Sequence, residues 1–179
     1  MFPFDSVGWA LLIARLVLFW GKSLTHWLIA IGVLLGALLL PIWGLPPVGY
    51  LRAFMGDLSY ISVGLVVASA FTEIEVRRRF VILVIFVAAF FYPMALGVGT
   101  YDPYQLGFGG SALFLWLIVL CVYSAIVGYF VPVYLIVFAV FGYFFRLLES
   151  DNVWDYLIDP WLVLAFICYL FKSRKMQIN

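Results

Sequence analysis

The chain has 179 residues, 67% of them hydrophobic and 11% charged, with a net charge of +1, whereas a soluble domain is about 45–50% apolar and about 25% charged. A water-soluble fold has no place for that much apolar surface, and a net charge so near zero gives no electrostatic footprint for nucleic acid. A membrane span takes about 20 residues to cross roughly 30 Å of hydrocarbon, so five or six spans with short loops nearly exhaust the chain and leave no room for a separate catalytic domain.

The expected fold is all-α: a polytopic transmembrane helical bundle of five or six spans with an N-terminal interfacial helix, read as one domain over 1–179. The opening residues, Met-Phe-Pro-Phe-Asp, lack the basic region and small-residue cleavage site of a removable signal peptide, so this segment is expected to remain in the mature protein. Val7 to Trp20 is short for a span and carries Arg15 at its middle, where insertion of a charge costs about 2.5–3.5 kcal/mol. Gly8, Arg15 and Lys22 recur near one helical stripe while Trp9, Leu12, Leu16, Phe19 and Trp20 supply apolar surface, which favours an interfacial helix over a spanning one. Residues 1–24 are therefore read as a cytoplasmic-side interfacial segment, 25–171 as the bundle and 172–179 as a basic cytoplasmic tail.

The expected spans run from Thr25 to Trp43, Phe54 to Ile74, Phe80 to Val98, Ser111 to Gly128, Pro132 to Leu147, and Asp159 to Phe171, the last borrowing length from Trp154 to Ile158. Gly32 and Gly36 form a GxxxG pattern that permits close helix packing. Pro93, followed by Gly97 and Gly99, should unwind the far end of its helix. None of these spans has an ionisable residue near its centre, which lowers the expectation of an ion-coupled transporter.

Basic residues flanking short loops stay on the cytoplasmic side, so Arg77, Arg78, Arg79 and the group Lys172, Arg174 and Lys175 set the orientation. Four spans separate the two groups, so they fall on the same side. The reading is a bacterial inner-membrane, multi-pass protein with a cytoplasmic C-terminus. The opposite loops carry the acids and are the one place where several polar residue types converge.

Arg52, Asp57, Asp102, Arg146, Glu149, Asp151 and Asp155 are the candidate binding cluster on that outer face. Asp57, Asp102 and Asp159 each stand near an expected helix start, and the latter two precede proline, so helix capping is a competing account of them. Arg52 and Arg146, at the edges of apolar runs, are expected to pair with carboxylates, Arg52 with Asp57 and Arg146 with Glu149 or Asp151, or to hold a phosphate from a lipid headgroup or a lipid-linked substrate. Glu149, Asp151, Asn152 and Asp155 lack the spacing of a calcium loop, and no metal site is assigned. Gly107-Phe-Gly-Gly110 has no preceding strand and no following lysine, and is read as a turn.

Cys121 and Cys168 lie in apolar runs as reduced thiols, and no cofactor is expected. The lone His26 belongs to no Ser/His/Asp set and no HExxH motif, which argues against an enzyme without settling it. Trp116, Tyr123 and Tyr134 are read as interfacial aromatic belts rather than ligands. The leading functional expectation is an accessory or scaffold subunit that binds a partner protein or lipid at its outer face, in cell-envelope lipid or polysaccharide handling. A small transporter or channel subunit working as a homo-oligomer, and a lipid-active enzyme using outer-face carboxylates and arginines, are the alternatives. Membrane lipids and a membrane-protein partner are the expected interactors.

Overall fold

The computed structural model describes residues 7–19, 21 and 23–176, with side chains to 172. Lys22, Trp20, Arg174 and Lys175, used above, lie outside these described residues or their described side chains. The described residues form α-helices and no strand: α1 (Val7–Phe19), α2 (Leu24–Leu39), α3 (Pro47–Met55), α4 (Tyr60–Phe71), α5 (Arg78–Ala95), α6 (Ser111–Ile126), α7 (Val131–Phe144), α8 (Val153–Leu157) and α9 (Pro160–Met176). A 3-10 turn, Pro103–Gly107, separates α5 from α6.

The helix starts follow from side-chain oxygens that accept otherwise unpaired N–H groups. Ser23 accepts from the His26 N–H, Ser59 from Ser62, Asp102 from Tyr104, Asn152 from Trp154, and Asp159 from Leu162. Pro47 and Pro160 occupy first helical positions, where a missing N–H costs nothing. The expected span from Phe54 is corrected here. Gly56, at φ 74, ends α3 in the left-handed region that suits glycine, and the chain stays non-helical until Ser59 caps α4. Past Pro93, α5 ends at Ala95, as the sequence suggested.

Val7–Phe19, read from sequence as interfacial, is packed into the bundle. It packs along α2 and α4, burying Trp9, Ala10, Ala14 and Leu18. Trp9 and Ala10 cluster with Ala37 near the end of α2, while Ala14 and Leu18 cluster with Ala30 nearer its start, so the two helices are antiparallel. Arg15 is accommodated because its Nε–H donates to Ser69 Oγ on α4 at 2.9 Å.

α4 is the central helix, touching α1, α7, α8 and α9. The main core joins Tyr60 and Ile61 of α4, Val81, Ala88 and Phe91 of α5, Ala139 of α7, Tyr156 and Leu157 of α8, and Phe166 of α9. Where α4 crosses α7, Gly142 lies so close to the Tyr60 ring that an added Cβ would stand 2.7 Å from it. Gly32, by contrast, has no neighbour within 4 Å of such a Cβ, and Gly36 meets only Leu40, so the GxxxG pattern makes no helix crossing among the described residues.

Arg78–Ala95 and Val153–Lys172, the latter taken through the break before Pro160, are long and apolar enough to cross a membrane. Five further apolar helices are shorter. The outward side chains are themselves apolar, including Leu39, Phe86, Trp116, Ile126 and Phe144. That surface, with the two long helices, points to a membrane protein.

The bundle has two chemically different ends. At one, Tyr169 of α9 donates to the Val76 carbonyl at 3.1 Å, the Arg77 N–H donates to Tyr129 Oη at 2.9 Å, and the Arg77 guanidinium sits 4.6 Å from the Tyr129 ring centroid. Burial raises the Tyr129 phenol pKa above its ordinary value, against the opposing pull of Arg77. The other end gathers the α3–α4 link, the 3-10 turn and the α7–α8 loop.

Candidate functional site

At the acidic end, two indoles first fix the backbone. Trp9 Nε1–H donates to the Gly56 carbonyl at 2.8 Å and Trp161 Nε1–H to the Met55 carbonyl at 3.2 Å, so the last carbonyls of α3 are paired by α1 and α9. This holds Arg52, in the last turn of α3, over the link to α4. Its Nε lies 2.8 Å from Asp57 Oδ1 and its second terminal nitrogen 2.7 Å from Glu149 Oε2. The Arg52–Asp57 pair is the expected one, while the bridge to Glu149 joins residues 97 apart and could not be read from spacing.

Asp159 is buried and works from both oxygens. Oδ1 accepts the Leu162 N–H at 2.8 Å, capping α9, and Oδ2 accepts the Ser59 N–H at 2.9 Å and the Ser62 hydroxyl at 2.5 Å. Capping was expected; the tie to α4 was not. The latter supplies a partner for a buried N–H in the non-helical link, which would otherwise carry a desolvation cost of about 1–3 kcal/mol.

Asp155 Oδ2 accepts the Tyr104 hydroxyl at 2.8 Å and the Ser150 hydroxyl at 2.5 Å. Burial, and then this bond to a carboxylate, push the Tyr104 phenol up to about 12. Tyr104 is in turn positioned by Asp102, which accepts its N–H at 2.9 Å, and by Asn152, whose Nδ2 donates to its carbonyl at 2.9 Å. Asn152 fills the space beside Gly107 so closely that any side chain there would collide with its amide. Asp102 therefore supports the site through Tyr104 and does not itself line it.

Around these groups is a cavity of about 400 Å³. Asp57, Asp155, Asp159, Tyr92, Tyr104 and Ser150 supply its polar wall, and Phe91, Ala95, Leu96, Leu148 and Ile158 its apolar wall. The Tyr92 hydroxyl is buried and makes no hydrogen bond among the described residues. A buried polar group without a partner is uncommon in native structures.

The expected cluster is thus brought together in part. Arg52, Asp57, Glu149 and Asp155 converge, with Asp102 one residue removed. Asp151 is exposed and lines no part of the cavity. Arg146 does not pair with Glu149 or Asp151 as proposed from sequence. At φ 49 it is the left-handed residue that closes α7, with its N–H on the Tyr143 carbonyl and the Leu147 N–H on the Gly142 carbonyl, and its side chain is exposed. Tyr92, Tyr104 and Ser150, which nothing along the chain singled out, and Asp159, read from sequence only as a helix cap, complete the wall. The proline after Asp159 was the one available signal.

Among the described residues no three His, Cys, Asp or Glu side chains are grouped to hold a metal ion. His26 sits at the start of α2, with Nδ1 2.6 Å from Ser23 Oγ, at the opposite end of the bundle from the cavity. No protein-family model, curated relative or solved structure matches the chain.

Proposed function

We propose that this is a multi-pass membrane protein whose acidic-end cavity holds a lipid headgroup, an accessory role in envelope lipid handling in a bacterial inner membrane. In this reading α2, α4, α5, α6, α7 and the α8–α9 segment are the six spans, and α1, antiparallel to α2, crosses beside them. α4 alone would reach only about 18 Å. The buried link before it adds depth, and non-helical backbone is tolerated there because protein groups pair it. The basic loop and the end of α9 then face the cytoplasm and the cavity faces outward.

The observation that carries this reading is the cavity, a polar wall facing a larger apolar one, with a Tyr92 hydroxyl that has no hydrogen bond among the described residues. A headgroup at a membrane surface presents the matching mixture. Ala95→Trp fills the cavity from the end of α5 without touching the carboxylates. Native mass spectrometry of protein extracted in mild detergent should find retained lipid on the wild type and at least tenfold less on the variant, with similar melting temperatures. Equal retention would place the bound lipid elsewhere and remove the reading.

A further inference from the structure

A second hollow lies directly beside the first. α5 packs on α9 and α6 on α7, so these two consecutive helices leave a groove between them of about 470 Å³. Its wall is almost entirely apolar: Leu83, Val84 and Val87 from α5, Leu113, Trp116, Leu117, Leu120 and Tyr123 from α6, over a floor including Ile61, Ile136 and Leu157. From Leu113 to Tyr123 it follows α6 for about 15 Å. Ile158 lines both hollows. The step between them is one ring pair, Phe91 of the polar cavity against Trp154 of the groove, with centroids 4.5 Å apart.

The charge of the polar cavity has one sign. Its lining contains Asp57, Asp155 and Asp159 and no lysine or arginine. Arg52 is shared between Asp57 and Glu149, and Arg146 is exposed and does not line the cavity. Among the described residues, Asp57, Asp155, Asp159 and Glu149 share this end with one guanidinium, Arg52. A phosphate entering this space would meet, among the described residues, a wall of carboxylates and hydroxyls, whereas an ammonium group would find an acceptor in Asp155, whose bonds to Tyr104 and Ser150 fall on one oxygen.

We propose that the ligand is a membrane amphiphile bearing a primary amine, its ammonium in the Asp57–Asp155–Asp159 cavity and one hydrocarbon chain in the α5–α6 groove. This rests on the headgroup reading above and assigns both the charge of the head and the seat of the tail. The juxtaposition selects a single molecule with a cationic end and an apolar end, because the two hollows share a wall while differing completely in polarity. It also gives Trp116 and Tyr123 a role that their interfacial position alone does not.

The test uses the full chain in phosphatidylcholine nanodiscs with two photoreactive probes, identical in a dodecyl chain carrying a diazirine and differing in head, one a primary amine and one a carboxylate. The amine probe should crosslink to peptides covering Leu83 to Val87 and Leu113 to Tyr123, and excess dodecylamine should suppress this labelling. The carboxylate probe should label these peptides at least tenfold less. Asp155→Asn, which keeps an acceptor for Tyr104 and Ser150, should cut amine labelling about tenfold. Leu120→Trp, which fills the groove and leaves the carboxylates intact, should cut it as far, and guards against a folding defect in the first variant.

Equal labelling of the groove by both heads would overturn the amine assignment while leaving a lipid-binding cavity in place. Labelling spread evenly over the outward surface, for both probes, would overturn the groove and the headgroup reading together.

Discussion

One carboxylate at position 159 joins the start of α9 to the link before α4, accepting from two N–H groups and a hydroxyl in a buried setting. Asp159→Ala leaves all three donors without an acceptor, so unfolding in a denaturing-detergent titration should show a loss of about 3 kcal/mol or more. Asp151→Ala, at an exposed position, should cost less than about 0.5 kcal/mol. Tyr104 offers a second reading at this scale. Its phenol is raised from 10.0 to about 12 by burial and by the bond to Asp155, so its neutral form is favoured in the folded protein. The stability it contributes is fully present below pH 10 and is lost as pH rises toward about 12. The 295 nm absorbance titration of wild type minus Tyr104→Phe should therefore contain one tyrosine ionising near 12, and a midpoint near 10 would mean that the Asp155 contact does not form. Sequence identified the acids as a group because they share the loops opposite the basic clusters. It could not separate those that cap from those that face the cavity, because that division depends on Tyr92 and Tyr104, whose hydroxyls look no different from belt tyrosines along the chain.

Helix contacts in this bundle are set by close approach at specific glycines. Gly142→Ala would drive a methyl into the Tyr60 ring at the α4–α7 crossing and should destabilise the protein by about 1–3 kcal/mol. Gly32→Ala meets open space and should be neutral, or stabilising by up to about 1 kcal/mol through helix propensity. The same detergent titration compares the two, and a larger loss for Gly32 than for Gly142 would show that the α2 face packs against another chain. The GxxxG spacing on α2 suggested the opposite ranking, since spacing reports which residues share a face and not what that face meets. The bounds of α5 and α6 were readable because Pro93 and Ser111 mark them. α3 was absorbed into a loop and a span because its nine residues are too few for a distinct apolar period. The packing of α1 was not legible because the partner of Arg15, Ser69, lies 54 residues away.

For the molecule as a whole, the two ends make opposite demands on the membrane, and accessibility separates them. In a chain with Cys121→Ser and Cys168→Ser, a membrane-impermeant maleimide should label Asp151→Cys on intact cells and Glu73→Cys only after permeabilisation. The reverse pattern would invert the orientation, and labelling of both from outside would break the span assignment. The helical class and the polarity of the ends were legible because composition and charge placement are distributed properties. The cavity was not, because its walls come from the α3–α4 link, α5, the 3-10 turn and the α7–α9 region, which only folding brings together.

The ties that close the cavity have one further property, the distance they span along the chain. Asp159 reaches back 100 residues to Ser59, Glu149 reaches 97 to Arg52, and Trp161 reaches 106 to Met55. Each joins something made early on the ribosome to something made late. While α4 to α7 are being inserted, Ser59 and Ser62 wait without their acceptor and Arg52 without its second carboxylate. The early ties, Arg52 to Asp57 and Trp9 to Gly56, can form before α8 is made, but the acidic end is closed only when α8 and the start of α9 arrive. A translation intermediate halted before Glu149 therefore holds the α4 and α5 side of the cavity wall but lacks Ser150, Asp155, Ile158 and Asp159, which close it.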